Sequence, residues 1–217
     1  MSTRDRLTVA AALAVALACA ALAPMYAGYG WVPATLTAVA VVAGAGALAR
    51  RAGVTGVLVP LVQLLALGET ALLMFARDTL AWLVVPTGRT VTALQVLAGQ
   101  ATTDVQGLAA PVPTRPALVL LAVLGAGAVA VLVDLAAVGL QRAALAGLPL
   151  LVLLAVPSGV LPGGLGWLPF TLGAAGWLGL LLVEGTDRIS RWGLPLRSPR
   201  TGGAVDGSSA GRVGRRI

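Results

Sequence analysis

Six apolar runs constrain this chain most, because about 20 apolar residues in a helix suffice to cross the roughly 30 Å hydrocarbon core of a bilayer. They cover residues 7–27, 32–49, 54–76, 117–140, 143–161 and 165–183 of 217. Hydrophobic residues make up 58% of the sequence and charged ones 11%, so too little polar surface exists to cover such a core in water. The expected fold class is all-α: a polytopic membrane helix bundle of six transmembrane helices, occupying residues 1–184 as one domain. Residues 185–217 are rich in Gly, Ser, Pro and Arg and read as a disordered basic tail.

The few polar residues exclude much chemistry. There is no His and only one Cys, which removes His-based acid–base catalysis, a Ser–His or Cys–His nucleophile, an internal disulfide and a cysteine zinc cluster. No metal, cofactor or nucleic acid is expected; the expected partner is the lipid bilayer. The single Cys19 sits inside the first run, as a small buried apolar residue. That first run follows Arg4 and Arg6 in the manner of a signal peptide, but five further runs favour an uncleaved first helix.

Arginine placement sets the expected orientation. All 15 basic residues are Arg. Arg4 and Arg6 precede the first run, Arg50 and Arg51 follow the second, Arg142 separates the fourth and fifth, and Arg188 and Arg191 follow the sixth. The turns at 28–31 and 162–164 carry no charge. Cytoplasmic loops collect Arg and Lys, so both termini are expected in the cytoplasm, in a bacterial inner membrane. The long connection from Arg77 to Pro116 is then outside, despite its three Arg and two Asp. Tyr26, Tyr29, Trp31, Trp167 and Phe170 fit headgroup level on that side and Trp192 lies just inside the cytoplasmic end; the apolar 79–85 segment with Trp82 is expected at the interface or dipping into the bilayer, and Trp177 is mid-run and reads as helix packing.

Within the outer connection, Val91, Leu94, Ala98, Ala101, Val105 and Leu108 recur at steps of three and four. That spacing predicts an amphipathic helix over about 89–108, lying on the outer leaflet, either as a cover for the bundle or as a platform for a partner. Two acids interrupt the runs, Glu69 and Asp134. A charge at mid-helix costs about 2.5–3.5 kcal/mol on insertion scales, so something must compensate each. Counting residues along the runs puts the two about 15 Å apart in depth, which argues against a direct pair. Asp134 is expected to reach a snorkelling Arg50 or Arg51. A proton or ion relay through Glu69 and Asp134, as in a small transporter, is the alternative. Glu184 and Arg188 read as a surface pair at i,i+4. Small residues at 43–47, 125–127, and at Gly173, Gly176 and Gly179 permit close helix contact, within the chain more than between copies.

The order of short phrases from Arg50 onward carries a resemblance. These are Ala109-Ala110-Pro111-Val112-Pro113, Leu132-Val133-Asp134-Leu135, Arg142 through Leu150, Ala155-Val156-Pro157, Leu161-Pro162-Gly163-Gly164, and Asp187-Arg188 with Arg191-Trp192-Gly193. Together, over most of residues 5–217, they resemble the N-terminal membrane domain of bacterial transglutaminase-like membrane proteins, especially the actinobacterial kind. The resemblance implies an extracytoplasmic enzyme domain with a Cys, His and Asp triad, on the same or a separate chain. No triad residue can be placed here, so this chain is expected to be non-catalytic. Six crossings leave the C-terminus inside whereas the family's enzyme domain lies outside, so a seventh crossing is implied. Family members resume a hydrophobic helix after a phrase similar to Gly214-Arg215-Arg216-Ile217. The chain is therefore expected to be a fragment or truncated form of a longer protein.

Overall fold

The computed structural model describes residues 3–80, 86–161 and 164–192, with side chains described up to residue 186. Seven helices and no strand occur among the described residues. They are α1 (Thr3–Ala18), which tightens into a 3-10 segment at Cys19–Met25, α2 (Trp31–Arg51), α3 (Leu58–Phe75), α4 (Gly88–Gly107), α5 (Pro116–Asp134), α6 (Gly147–Val160) and α7 (Trp167–Trp192). All except α4 belong to segments long and apolar enough to cross a membrane.

Proline marks where the helices start. Pro33, Pro60, Pro116, Pro149 and Pro169 each fall within the first three residues of α2, α3, α5, α6 and α7. The first N–H groups of a helix have no intrahelical acceptor, so a residue without one costs nothing there. The α3 start is later than the apolar run predicts, because Gly53 and Gly56 take positive φ (83° and 64°) and form a turn. At the other end, α7 continues nine residues beyond the expected Val183, and Arg188 and Arg191 lie on this helix rather than in a tail. Residues 193–217 and the segment with Trp82 lie outside the described residues.

The centre of the bundle is α5. Its apolar window is 67% buried, against 17–50% for the other five spans, and it touches α1, α2, α3, α4 and α6. A helix that is apolar all round belongs in the interior. The other spans leave large side chains outward, such as Leu61, Leu64 and Leu65 on α3, and Leu148, Leu151 and Val152 on α6.

Small residues let such helices pack closely. On α7 a step of three residues turns the helix by about 300°, so the three glycines fan out. A Cβ at Gly173 would meet Leu154 of α6 at 3.1 Å, and one at Gly176 would meet the Ala14 backbone of α1 at 2.9 Å. Gly179 faces open space. Two of the three thus serve contacts within the chain. Trp177 packs across Gly147, the N-terminal residue of α6.

The expected helix over 89–108 is present as α4, but its packed face is rotated from the predicted stripe. Thr90, Leu94, Leu97, Ala101, Asp104 and Leu108 turn inward or are half-buried, while Val91, Ala98 and Val105 are exposed. Polar contacts decide this. Thr87 and Thr90 form a capping box, and both hydroxyls donate to the Thr79 carbonyl (2.7 and 2.9 Å). Asp104 near the other end accepts from Arg115 at 2.6 Å. Apolar periodicity alone could not weigh those anchors.

At the same end, Tyr26 ties the first turn to the entry of α5. The Val112 N–H donates to Met25 O and the Ala27 N–H to Val112 O, both at 2.8 Å. The Tyr26 hydroxyl donates to Leu118 O at 2.9 Å, and its ring stacks on Trp31 with centroids 5.4 Å apart. Burial pushes the Tyr26 phenol from 10 up to about 12.

Two outcomes follow for thermal unfolding in detergent. Gly176→Val should cost about 1–3 kcal/mol by forcing α1 from α7, with Gly179→Val close to neutral. The neutral phenol is the form the fold favours, so its contribution is intact below pH 10 and is lost as pH rises through about 12. Tyr26→Phe should therefore flatten the fall in stability between those values; an unchanged profile would refute the assignment.

Candidate functional site

Four helices converge on one buried polar cluster. Arg50 lies in the last turn of α2, and Asp134 is the last residue of α5 before the helix widens into a π-turn at Leu135–Gly139. Gln63 comes from α3 and Thr8 from α1. Asp134 sits at the negative end of a helix dipole, which disfavours a carboxylate, so a cation is needed there.

Arg50 supplies it as a fork. Its Nη1 donates to Asp134 Oδ2 at 2.8 Å and its Nη2 to Oδ1 at 3.1 Å. The same Nη2 reaches Thr8 Oγ1 at 2.9 Å, and that hydroxyl donates onward to the Arg4 carbonyl at 3.0 Å. Gln63 Nε2 donates to Asp134 Oδ2 at 2.8 Å and to the Val42 carbonyl at 3.3 Å. The two ionic side chains are only 13% and 5% exposed. Gln63 is fully buried, and its Oε1 has no hydrogen-bond partner. A side chain at position 46 would occupy the space of the Gln63 amide, so Gly46 is what lets the amide lie against α2.

The cluster forms the floor of a cavity of about 340 Å3. Arg4 and the 54–57 turn stand at its rim, and Val59, Leu135 and Val138 are among its apolar walls.

Of the two arginines that the sequence offers to Asp134, Arg50 makes the pair; Arg51 instead meets Asp5 at 3.2 Å. The helix order brings Arg4, Arg6, Arg50, Arg51 and Arg142 to one end of the bundle. Glu69 and Asp134 share no hydrogen bond among the described residues; Glu69 lies further along α3, half-buried, with Oε1 unpartnered. Glu184 also has a bond that spacing does not reveal: it accepts from the Ala143 N–H at 3.1 Å, capping the segment that leads into α6. Arg188 and Arg191 are on α7, beyond the described side chains.

Gln63 and Thr8 were not legible as site residues. Gln63 is the one amide in the third apolar run, which is a signal, but only the fold shows that it faces Asp134.

A buried pair broken on one side leaves an unmatched charge. Arg50→Leu or Asp134→Leu should each cost about 3–5 kcal/mol in detergent unfolding, and the double variant should recover most of it. Additive losses would mean that the pair is not a unit.

Among known proteins, residues 13–215 match the family described as the TgpA N-terminal domain. No curated protein and no solved structure matches the chain. The match covers the chain from the middle of α1 onward, so the chain belongs to the family of TgpA N-terminal domains, the transglutaminase-associated N-terminal domains.

Proposed function

We propose that this chain is the membrane-anchoring, non-catalytic N-terminal part of a transglutaminase-like protein, and that it holds an enzyme domain at the outer face of a bacterial inner membrane. The carrying observation is the family match over residues 13–215, on a bundle with six helices long and apolar enough to cross a membrane. The arginine-rich end, with Arg4, Arg6, Arg50, Arg51 and Arg142, faces the cytoplasm in this reading. The end with Tyr26, α4 and the 108–115 connection faces outward. There α4 covers the entry of α5, and its exposed Val91, Ala98 and Val105 meet the headgroup region. In this reading a further crossing connects the bundle to the enzyme domain.

The buried ion pair supports a structural role over ion transport. Asp134 is held by a fork and an amide, and three donors on one carboxylate stabilise a fixed geometry.

The orientation is read by cysteine labelling on a Cys19→Ala background. A membrane-impermeant maleimide added to intact spheroplasts should modify Tyr29→Cys, and should modify Thr55→Cys only after permeabilisation. The reverse pattern sinks the orientation. The enzyme link is read from the coding DNA beyond residue 217: a further apolar span followed by Cys, His and Asp supports it, and a sequence with neither defeats it.

A further inference from the structure

The outward face of α3 carries features that the bundle does not use. Val59, Gln63, Leu67, Thr70 and Ala71 turn inward, where α3 meets α2 and α5. On the other side, Leu58, Leu61, Leu65, Gly68 and Leu72 recur at steps of three and four, and all but the half-buried Leu72 are exposed. That period makes a seam along which a second helix can pack. Gly68 sits in the seam with nothing within 4 Å of where its Cβ would be, so no contact in this chain uses its small size.

Exposed leucines also occur on α6 and α7, and by themselves they fit lipid as well as protein. Glu69 sets α3 apart. It lies four residues after Leu65 and three before Leu72, so it shares the side of the seam. Its Oε1 is enclosed without a hydrogen-bond partner; its Oε2 is not enclosed and has no partner among the described residues. Glu69 precedes Phe75, the last residue of α3, by six positions, or roughly 9 Å. In the membrane-spanning reading, on which this inference rests, that depth is within the hydrocarbon, where an acid is costly unless paired. Charge then selects the partner. α3 has no Arg of its own, Arg77 lies eight positions further on, roughly 12 Å along a helix, and Arg50 is held by Asp134. A second copy docked side by side would bring its own Glu69 to the same depth and set like charges together. The complementary face is an apolar helix with Arg or Lys at that level.

We propose that the α3 seam docks a transmembrane helix of a partner protein that carries a basic side chain in the outer half of the bilayer, opposite Glu69. The guanidinium or ammonium donates to Glu69 Oε2. The partner's apolar residues lie along Leu58, Leu61, Leu65 and Leu72, and Gly68 lets the two backbones approach.

The test is energy transfer in liposomes. The full chain is labelled at Thr55→Cys on the Cys19→Ala background. The probes are synthetic leucine-rich transmembrane peptides with one guest residue, Arg, Leu or Glu, at the depth of Glu69. Flotation of the chain with the liposomes reads the membrane-spanning reading separately; a chain that does not float defeats that reading and this inference with it. With a floating chain, transfer to the Arg peptide should exceed that to the Leu and Glu peptides several-fold. Glu69→Leu should bring the Arg peptide down to the Leu level while thermal unfolding of the chain stays unchanged. Gly68→Ile should lower transfer to the Arg peptide several-fold. Equal transfer to the Arg and Leu peptides overturns the proposal, and so does an Arg signal that survives Glu69→Leu or Gly68→Ile. Transfer between two labelled copies of the chain that falls with Glu69→Leu gives the seam to a second copy and overturns the choice of partner.

Discussion

The ion pair between Arg50 and Asp134 fixes how the bundle goes together. It joins the C-terminal ends of α2 and α5, and Gln63 and Thr8 bring α3 and α1 to the same point. Apolar faces can slide by a turn at modest cost, because one Leu–Val contact resembles the next. A forked guanidinium on a carboxylate does not slide, since any shift strands a charge away from water. The cluster therefore sets register for four helices while contributing little as attraction alone.

Around that point the helices are closely packed at particular glycines. Gly46 admits the Gln63 amide, Gly127 admits Leu67, and Gly176 admits the backbone of α1. Each missing side chain lets two backbones or a bulky neighbour approach, which gains dispersion contacts. Neighbouring Gly44, Gly125 and Gly179 face open space, so the same residue type has no common role along these helices.

The two ends of the bundle differ in kind. One carries Arg4, Arg6, Arg50, Arg51 and Arg142, the buried Arg50–Asp134 pair and the cavity beside it. The other is tied by backbone pairing at Tyr26 and Val112, the Tyr26 hydroxyl, and the threonine cap of α4. This asymmetry gives a membrane-anchoring reading its direction: five arginines gather on one side, and the 77–116 connection, whose Arg115 pairs with Asp104, is braced on the other.

The sequence by itself determined the number of long apolar helices, their approximate ends and the end on which the arginines gather. Length and hydropathy act locally, and proline at a helix start costs nothing wherever the helix later packs. The family was legible too, in the order of phrases such as Leu132-Val133-Asp134-Leu135. Only the tertiary structure decided which arginine meets Asp134, that Gln63 joins them, which glycines are contacts, and which face of α4 turns inward. Those outcomes depend on the rotation of one helix against another. An apolar run with little moment leaves that rotation open until a few polar groups, expensive to bury alone, find their partners.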